Sequence, residues 1–160
     1  MALKKNLTPG QALQKLKHFC AYQERCHNEV REKFYDLGVW KKDHDEIIAT
    51  LIEEKYLDEE RFAIAFAGGK FRIKKWGRQK IRHALRQKQV SEYSIRRALG
   101  EIDEEAYENM AFELLADKYA DLKQEQYLVR KKKSMDYMVA RGYEYDLLSR
   151  LMSRITGKQT

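Results

Sequence analysis

From Arg61 to Ser91 the chain reads RFAIAFAGGKFRIKKWGRQKIRHALRQKQVS. Ten Lys or Arg fall here (Arg61, Lys70, Arg72, Lys74, Lys75, Arg78, Lys80, Arg82, Arg86, Lys88) and no Asp or Glu. The whole chain carries +7, so the residues outside this block are net acidic by three (7 − 10). Like-charge runs are often disordered. Here the charges are interleaved with Phe66, Phe71, Ile73, Trp76, Ile81 and Leu85 at helical spacing, so the block is a folded element. On a helical wheel Phe62, Phe66, Gly69 and Ile73 share one face, and Ile64, Ala67, Gly68 and Phe71 line the opposite one. A helix apolar on two faces is flanked on both sides. Gly68 and Gly69 would permit close helix approach or a local kink there, and close approach is the expectation. A second helix starts near Gly77 and turns Ile81, Ala84 and Leu85 inward. Arg78, Arg82 and Arg86 then follow at i, i+4 and i+8 as a row along one flank, successive members about 6 Å apart.

Working outward, the same pattern recurs. Gly38, Gln89 and Gly142 occupy equivalent turns, at spacings of 51 and 53 residues. Four residues before the turn stand Phe34, Leu85 and Met138, and one after it Val39, Val90 and Tyr143. Further on come Ile47, Ile48 and Leu51, then Ala98, Leu99 and Ile102, then Leu151, Met152 and Ile155. This is an internal repeat of a three-helix unit of about fifty residues, each too small to bury a good core alone. The expected fold is all-α, with three tandem three-helix modules (1–55, 56–102 and 103–160) in an elongated, curved arrangement. In the first module Thr8, Pro9 and Gln11 form a capping box and a proline start, and Leu13, Leu16, Phe19 and Cys20 give the apolar stripe. A second helix runs from about Cys26 to Leu37 and ends on Gly38 in left-handed backbone. Asp43 is expected to cap the third. In the middle module Asp58 caps a helix whose first turn carries Glu59 and Glu60. The C-terminal TGKQT is expected to fray.

The chain is 43% hydrophobic and 36% charged, with one proline and 8 glycines among 160 residues. Scarce helix breakers favour helices over sheet. No apolar run approaches the roughly 18 residues of a membrane span, and the first residues, MALKKNLTPG, lack the apolar core of a signal peptide. Cys20 and Cys26 form no CxxC pair, so a disulfide framework or zinc ribbon is not expected, despite His18 and His27 nearby. There is no phosphate-binding GxxxxGK[ST] loop, no HExxH and no dinucleotide turn. Asp58, Glu59 and Glu60 sit where capping residues sit, which is a better reading than metal ligands. His44 aligns with Ile95 and Leu148 and reads as a packing residue. An enzyme is not expected, and no cofactor.

What remains is a cationic surface. Its candidate binding residues are Lys70, Arg72, Lys74, Lys75, Trp76, Arg78, Lys80, Arg82, Arg86 and Lys88, with Arg130, Lys131, Lys132 and Lys133 at the start of a later helix. Trp76 could stack on a base or pack at the helix junction. From Glu101 to Tyr127 nine acids face two bases, whereas Leu128 to Thr160 is net +5, so charge is segregated along the chain. Two kinds of partner suit such a surface. One is nucleic acid held by phosphate neutralisation without base reading; the other is an acidic protein surface paired with arginine.

Lys55-Tyr56-Leu57-Asp58-Glu59-Glu60-Arg61-Phe62-Ala63 resembles the G-[YL]-[LI]-[DN]-[DE]-x-R-F-A segment of the RecX family of bacterial recombination regulators. Gly77-Arg78-Gln79-Lys80-Ile81-Arg82-x-x-Leu85 is similar to its G-x-x-[RK]-I-x-x-E-L segment. The likeness runs from about Gln11 to Met152. Lys55 and Gln89 stand where the family has Gly, and Ala84 where it has Glu. The resemblance implies a cytoplasmic, non-catalytic protein of tandem three-helix modules. It implies binding, as a monomer, to the RecA recombinase filament on single-stranded DNA, with double-stranded DNA a further possibility. Filament extension, strand exchange and ATP hydrolysis would be inhibited, in DNA repair and the SOS response. A sequence-nonspecific DNA-binding protein without a recombinase partner is the alternative. Reversing Arg78 and Arg82 to Glu is expected to leave the helices intact and to abolish that inhibition.

Overall fold

Gly38, Gln89 and Gly142 all hold left-handed backbone, at φ 67°, 61° and 101°. The same two hydrogen bonds close each turn. Val39, Val90 and Tyr143 donate N–H to the carbonyls of Phe34, Leu85 and Met138, at 2.9, 3.1 and 3.2 Å. Gly38, Gln89 and Gly142 donate to Tyr35, Arg86 and Val139, at 3.2, 2.9 and 2.9 Å. This pair of bonds satisfies carbonyls that a helix end leaves without partners. The three turns are thus one motif repeated, with Gln89 doing at some strain what glycine does freely.

The computed structural model describes residues 7–157. Among them are nine helices: α1 (Pro9–Tyr22), α2 (His27–Leu37), α3 (Lys41–Glu53), α4 (Glu59–Arg72), α5 (Arg78–Gln87), α6 (Glu92–Gly100), α7 (Glu104–Asp121), α8 (Tyr127–Ala140) and α9 (Tyr145–Thr156). The protein is all-α, and none of these helices is long and apolar enough to cross a membrane. Cα packing divides the chain into two units, Met1–Ala65 with Leu85–Arg97, and Phe66–Ala84 with Ala98–Thr160. Of the C-terminal TGKQT, Thr156 ends α9 and Gly157 caps it at φ 69°; the last three residues lie outside the described ones.

In the first unit α1, α2 and α3 pack pairwise. Their core holds Leu16, Cys20, Val30, Phe34, Ile47, Ile48 and Leu51. Thr8 and Gln11 exchange the two bonds of the capping box, at 3.1 and 3.2 Å. Asp43 is not the cap of α3. Trp40 holds that place, and the Asp43 N–H is taken by the Trp40 carbonyl at 2.9 Å inside the first turn. His44 is buried, stacked on Phe34 with centroids 4.1 Å apart, and its Nε2 lies 3.1 Å from the Val39 carbonyl.

The segment Asp58–Ala63 is a tie within this unit. Asp58 Oδ1 accepts the Arg61 N–H at 2.9 Å. Glu59 accepts the Ser91 N–H at 3.0 Å and also its hydroxyl, which joins the starts of α4 and α6. Burial works to raise the Glu59 pKa, but the hydrogen bonds from Ser91 and Ser94 outweigh it and hold the carboxyl below its ordinary value. Arg97 Nε reaches Glu60 at 3.0 Å, and Arg61 reaches Glu24 at 2.6 Å. Phe62 and Ala63 are buried. Every charge in the segment has a structural partner.

In the second unit α7, α8 and α9 pack pairwise around Ala111, Leu115, Met138, Leu148, Leu151 and Met152, all buried. Phe71, Tyr107 and Tyr143 form an aromatic run, with centroids 5.7 and 5.2 Å apart. The expected close approach at Gly68 and Gly69 is not found. A Cβ at Gly69 would meet nothing within 4 Å, and the nearest atoms to one at Gly68 belong to the flexible Arg72 guanidinium of its own helix. The backbone contact lies instead at Gly77, where a Cβ would overlap the Gly142 carbonyl and the Tyr143 nitrogen. Ile73, placed on an apolar face by the wheel, is 77% exposed.

Candidate partner-binding surface

Residues 73–77 join α4 to α5, and the turn between α8 and α9 fixes them. Gly77 N–H donates to the Arg141 carbonyl at 2.8 Å, and Gln79 N–H to that of Gly142 at 2.9 Å. The Arg141 guanidinium donates back to the Lys74 and Lys75 carbonyls at 2.8 and 3.3 Å. Tyr143 hydroxyl donates to Lys75 at 3.0 Å. Lys75 is held at φ 58°, left-handed backbone that costs a residue with a Cβ about 1–2 kcal/mol. With both carbonyls drawn into the turn, Ile73, Lys74 and Lys75 are left exposed.

Lys74 and Lys75 make no ion pair among the described residues, so their charges are available to a partner. Trp76 is half-buried at the base of the loop, with Lys70 Nζ 4.9 Å and Lys80 Nζ 4.6 Å from its ring. Both contacts are in cation–π range. The indole is thus committed to cations of its own unit, which favours the packing role over base stacking. Arg72 is exposed and has no ion pair among the described residues.

The arginine row on α5 fares differently. Arg78 lies 3.8 Å over the Tyr107 ring, pairs with Glu104 and approaches Glu144 at 3.5 Å. Its N–H donates to the Tyr107 hydroxyl at 3.0 Å, and that hydroxyl donates to Glu144 at 2.8 Å. Arg78 is a structural strut of the second unit. Arg86, assigned to the first unit, is paired with Glu92 at 2.6 Å. Arg82 is half-buried, and Lys88 is half-buried within electrostatic reach of Cys26.

The 130–133 cluster is also largely spoken for. Arg130 stacks on Tyr119 at 3.6 Å, Lys132 pairs with Asp136 at 2.7 Å and Lys133 with Glu125 at 2.6 Å. Lys131 is exposed with no ion pair among the described residues. Arg130 and Arg141, the C-cap of α8, stand eleven positions apart, roughly 16 Å along the axis, so this cluster and the 73–76 loop sit toward opposite ends of that helix. Cys20 and Cys26 are free, buried thiols, and burial pushes each pKa up to about 11. Among the described residues no group of three His, Cys, Asp or Glu is placed to hold a metal ion.

Residues 58–99 match the family model described as RecX, second three-helix domain. Over 137 residues, 84% of the chain, it is 30% identical to the regulatory protein RecX of Clostridium perfringens (strain 13 / Type A), of which it covers 64%. It is 33% identical over 104 residues, 65% of the chain, to that of Salmonella paratyphi A (strain ATCC 9150 / SARB42), of which it covers 61%. The chain thus spans less than two thirds of the length of these relatives. The fold is that of the RecX crystal structure from Lactobacillus salivarius: TM-score 0.85 at 17% identity, covering 92% of this chain and 96% of that one.

Proposed function

Because the chain belongs to the RecX family, we propose that it is a negative regulator of the RecA recombinase, acting on the filament that RecA forms on single-stranded DNA. It lodges against that filament as a monomer in the cytoplasm and inhibits filament extension, strand exchange and ATP hydrolysis. The modules doing so are 1–55, 56–102 and 103–160, the second of which encloses the matched residues 58–99. The observation that carries the reading is the 73–76 loop. Its backbone is pinned by Arg141 and Tyr143, and its lysines, Lys74 and Lys75, pair with no acid among the described residues. A partner rich in phosphate or carboxylate gains from such a preorganised pair without first breaking an internal ion pair.

The test is RecA-dependent ATP hydrolysis on single-stranded DNA. Lys74→Glu with Lys75→Glu, both exposed, should keep wild-type helicity and lose at least tenfold in inhibitory potency. Unchanged potency with an intact fold rejects the loop as the contact. Binding of the wild-type chain to DNA with no effect on RecA would instead favour a sequence-nonspecific DNA-binding protein.

A further inference from the structure

A cleft of about 380 Å³ opens in the first unit, away from the 73–76 loop in sequence and built from other residues. Lys15, His18, Phe19 and Tyr22 line it from α1, Arg25 from the α1–α2 linker and Lys33 from α2. Its cationic and imidazole side chains are Lys15, His18, Arg25 and Lys33, and no carboxylate lines it. The four α1 residues stand at i, i+3, i+4 and i+7, so they share one helix face. That face is distinct from the stripe of Ala12, Leu16 and Cys20, which is buried in the core.

The floor of the cleft is held by contacts and its rim is exposed. The Arg25 guanidinium lies 3.8 Å over the Phe19 ring and its Nε donates to the Phe19 carbonyl at 3.0 Å. Glu29 lies 4.0 Å from the same guanidinium, so Arg25 is a bound plane rather than a free charge. Lys33 Nζ sits 5.3 Å from the centroid of that same Phe19 ring. At the rim Tyr22 is 83% exposed, and Lys15 and His18 are exposed beside it. An aromatic face set among cations, with no carboxylate in the lining, matches a ligand that is at once flat and anionic.

We propose that this cleft binds one or two nucleotides of a single-stranded nucleic acid. A base stacks on Tyr22, against the edge of the Phe19–Arg25 pair, and Lys15, His18 and Lys33 take the flanking phosphates. Lys15 and Tyr22 are about 10 Å apart along the helix, enough for a base and its neighbouring phosphate. A duplex hides the faces of its bases, and an acidic peptide would make no use of the ring. The site requires no recombinase and shares no residue with the surface proposed above.

The experiment follows the anisotropy of a fluorescein-labelled twelve-residue oligothymidylate titrated with the full chain, without recombinase. Tyr22→Ala should weaken binding about tenfold. Lys15→Ala should lower the salt-dependence slope by about 0.7, one phosphate contact on a single strand. An abasic twelve-mer with the same phosphates should bind the wild type more weakly and ignore Tyr22→Ala. The effect of Tyr22→Ala should persist in a Lys74→Glu, Lys75→Glu background, which separates this site from the loop. Thymidylate binding unchanged in both Tyr22→Ala and Lys15→Ala overturns the proposal. So does an abasic strand that binds as tightly, or polyglutamate that displaces the oligonucleotide at equal charge concentration.

Discussion

At the scale of single residues, glycine and its replacements decide how closely backbones meet. Gly77 faces the Gly142 carbonyl with no room for a methyl group, and the obstruction is backbone, which cannot swing away as a flexible side chain would. Gly77→Ala should destabilise the fold by about 1–3 kcal/mol, the usual cost of overpacking. Gly69 lies in the interior of α4 with nothing within 4 Å of a built Cβ, so Gly69→Ala should stabilise by about 0.5–1 kcal/mol through helix propensity. Opposite shifts in urea midpoint for these two alanines are the expected result; a shared sign would refute the packing account. Gln89 presents a third case. It is exposed and sits at φ 61°, where a Cβ is strained. Gln89→Gly removes that strain but adds freedom to the unfolded chain. The net expectation is a gain of about 0.5 kcal/mol, whereas Gly38→Gln, the reverse change at φ 67°, should lose stability.

At the scale of elements, α5 shows what a sequence can and cannot reveal. Its inward side was legible, because Ile81 and Leu85 obey a period set by the helix itself, and both are fully buried. The triple turn was legible too, since equivalent residues make the same bonds in each copy. The fate of Arg78 was not. Its acids, Glu104 and Glu144, lie 26 and 66 residues away, and no local period encodes them. The cap of α3 was misplaced for a related reason: Asp is a common cap, but the helix starts at Lys41 and Asp43 falls inside its first turn. The α1–α2 cleft was hidden behind the core stripe of the same helix, although Lys15, His18, Phe19 and Tyr22 carry its spacing. The structure also changes one expectation. Arg78→Glu would set a carboxylate against Glu104 and Glu144 and strip the cation from Tyr107, so Arg78→Glu with Arg82→Glu should not leave the fold untouched. A drop in urea midpoint of that variant, with Lys74→Glu and Lys75→Glu holding the wild-type value, is the expected contrast. Equal midpoints would show that Arg78 is not a strut.

At the scale of the whole molecule, each unit buries groups that must stay protonated. Burial pushes Cys20 and Cys26 in the first unit up to about 11, from an ordinary thiol value of 9.0. In the second unit burial raises Tyr143 to about 12, and raises Tyr107 further, with its hydrogen bond to Glu144 working the same way. All four are neutral acids whose folded pKa exceeds the unfolded one. Their contribution to stability is therefore complete below the unfolded value and is lost as pH rises toward the folded value. Between pH 9 and 11 the unfolded chain has released thiol protons that the folded chain still holds, so stability falls with pH. The slope is at most about 1.4 kcal/mol per pH unit for each thiol. Urea unfolding at pH 8, 9, 10 and 11 should show that decline, and Cys20→Ala with Cys26→Ala should make it shallower. Absorbance of tyrosinate provides the matching check on the second unit. Of the 10 tyrosines, Tyr107 and Tyr143 should stay silent until the fold is lost, and then ionise together with the loss of helical ellipticity. Ionisation of all ten below pH 11 with the helices intact would mean that the Tyr107–Tyr143 pair is not sealed, and with it that the turn holding Lys75 is open to water.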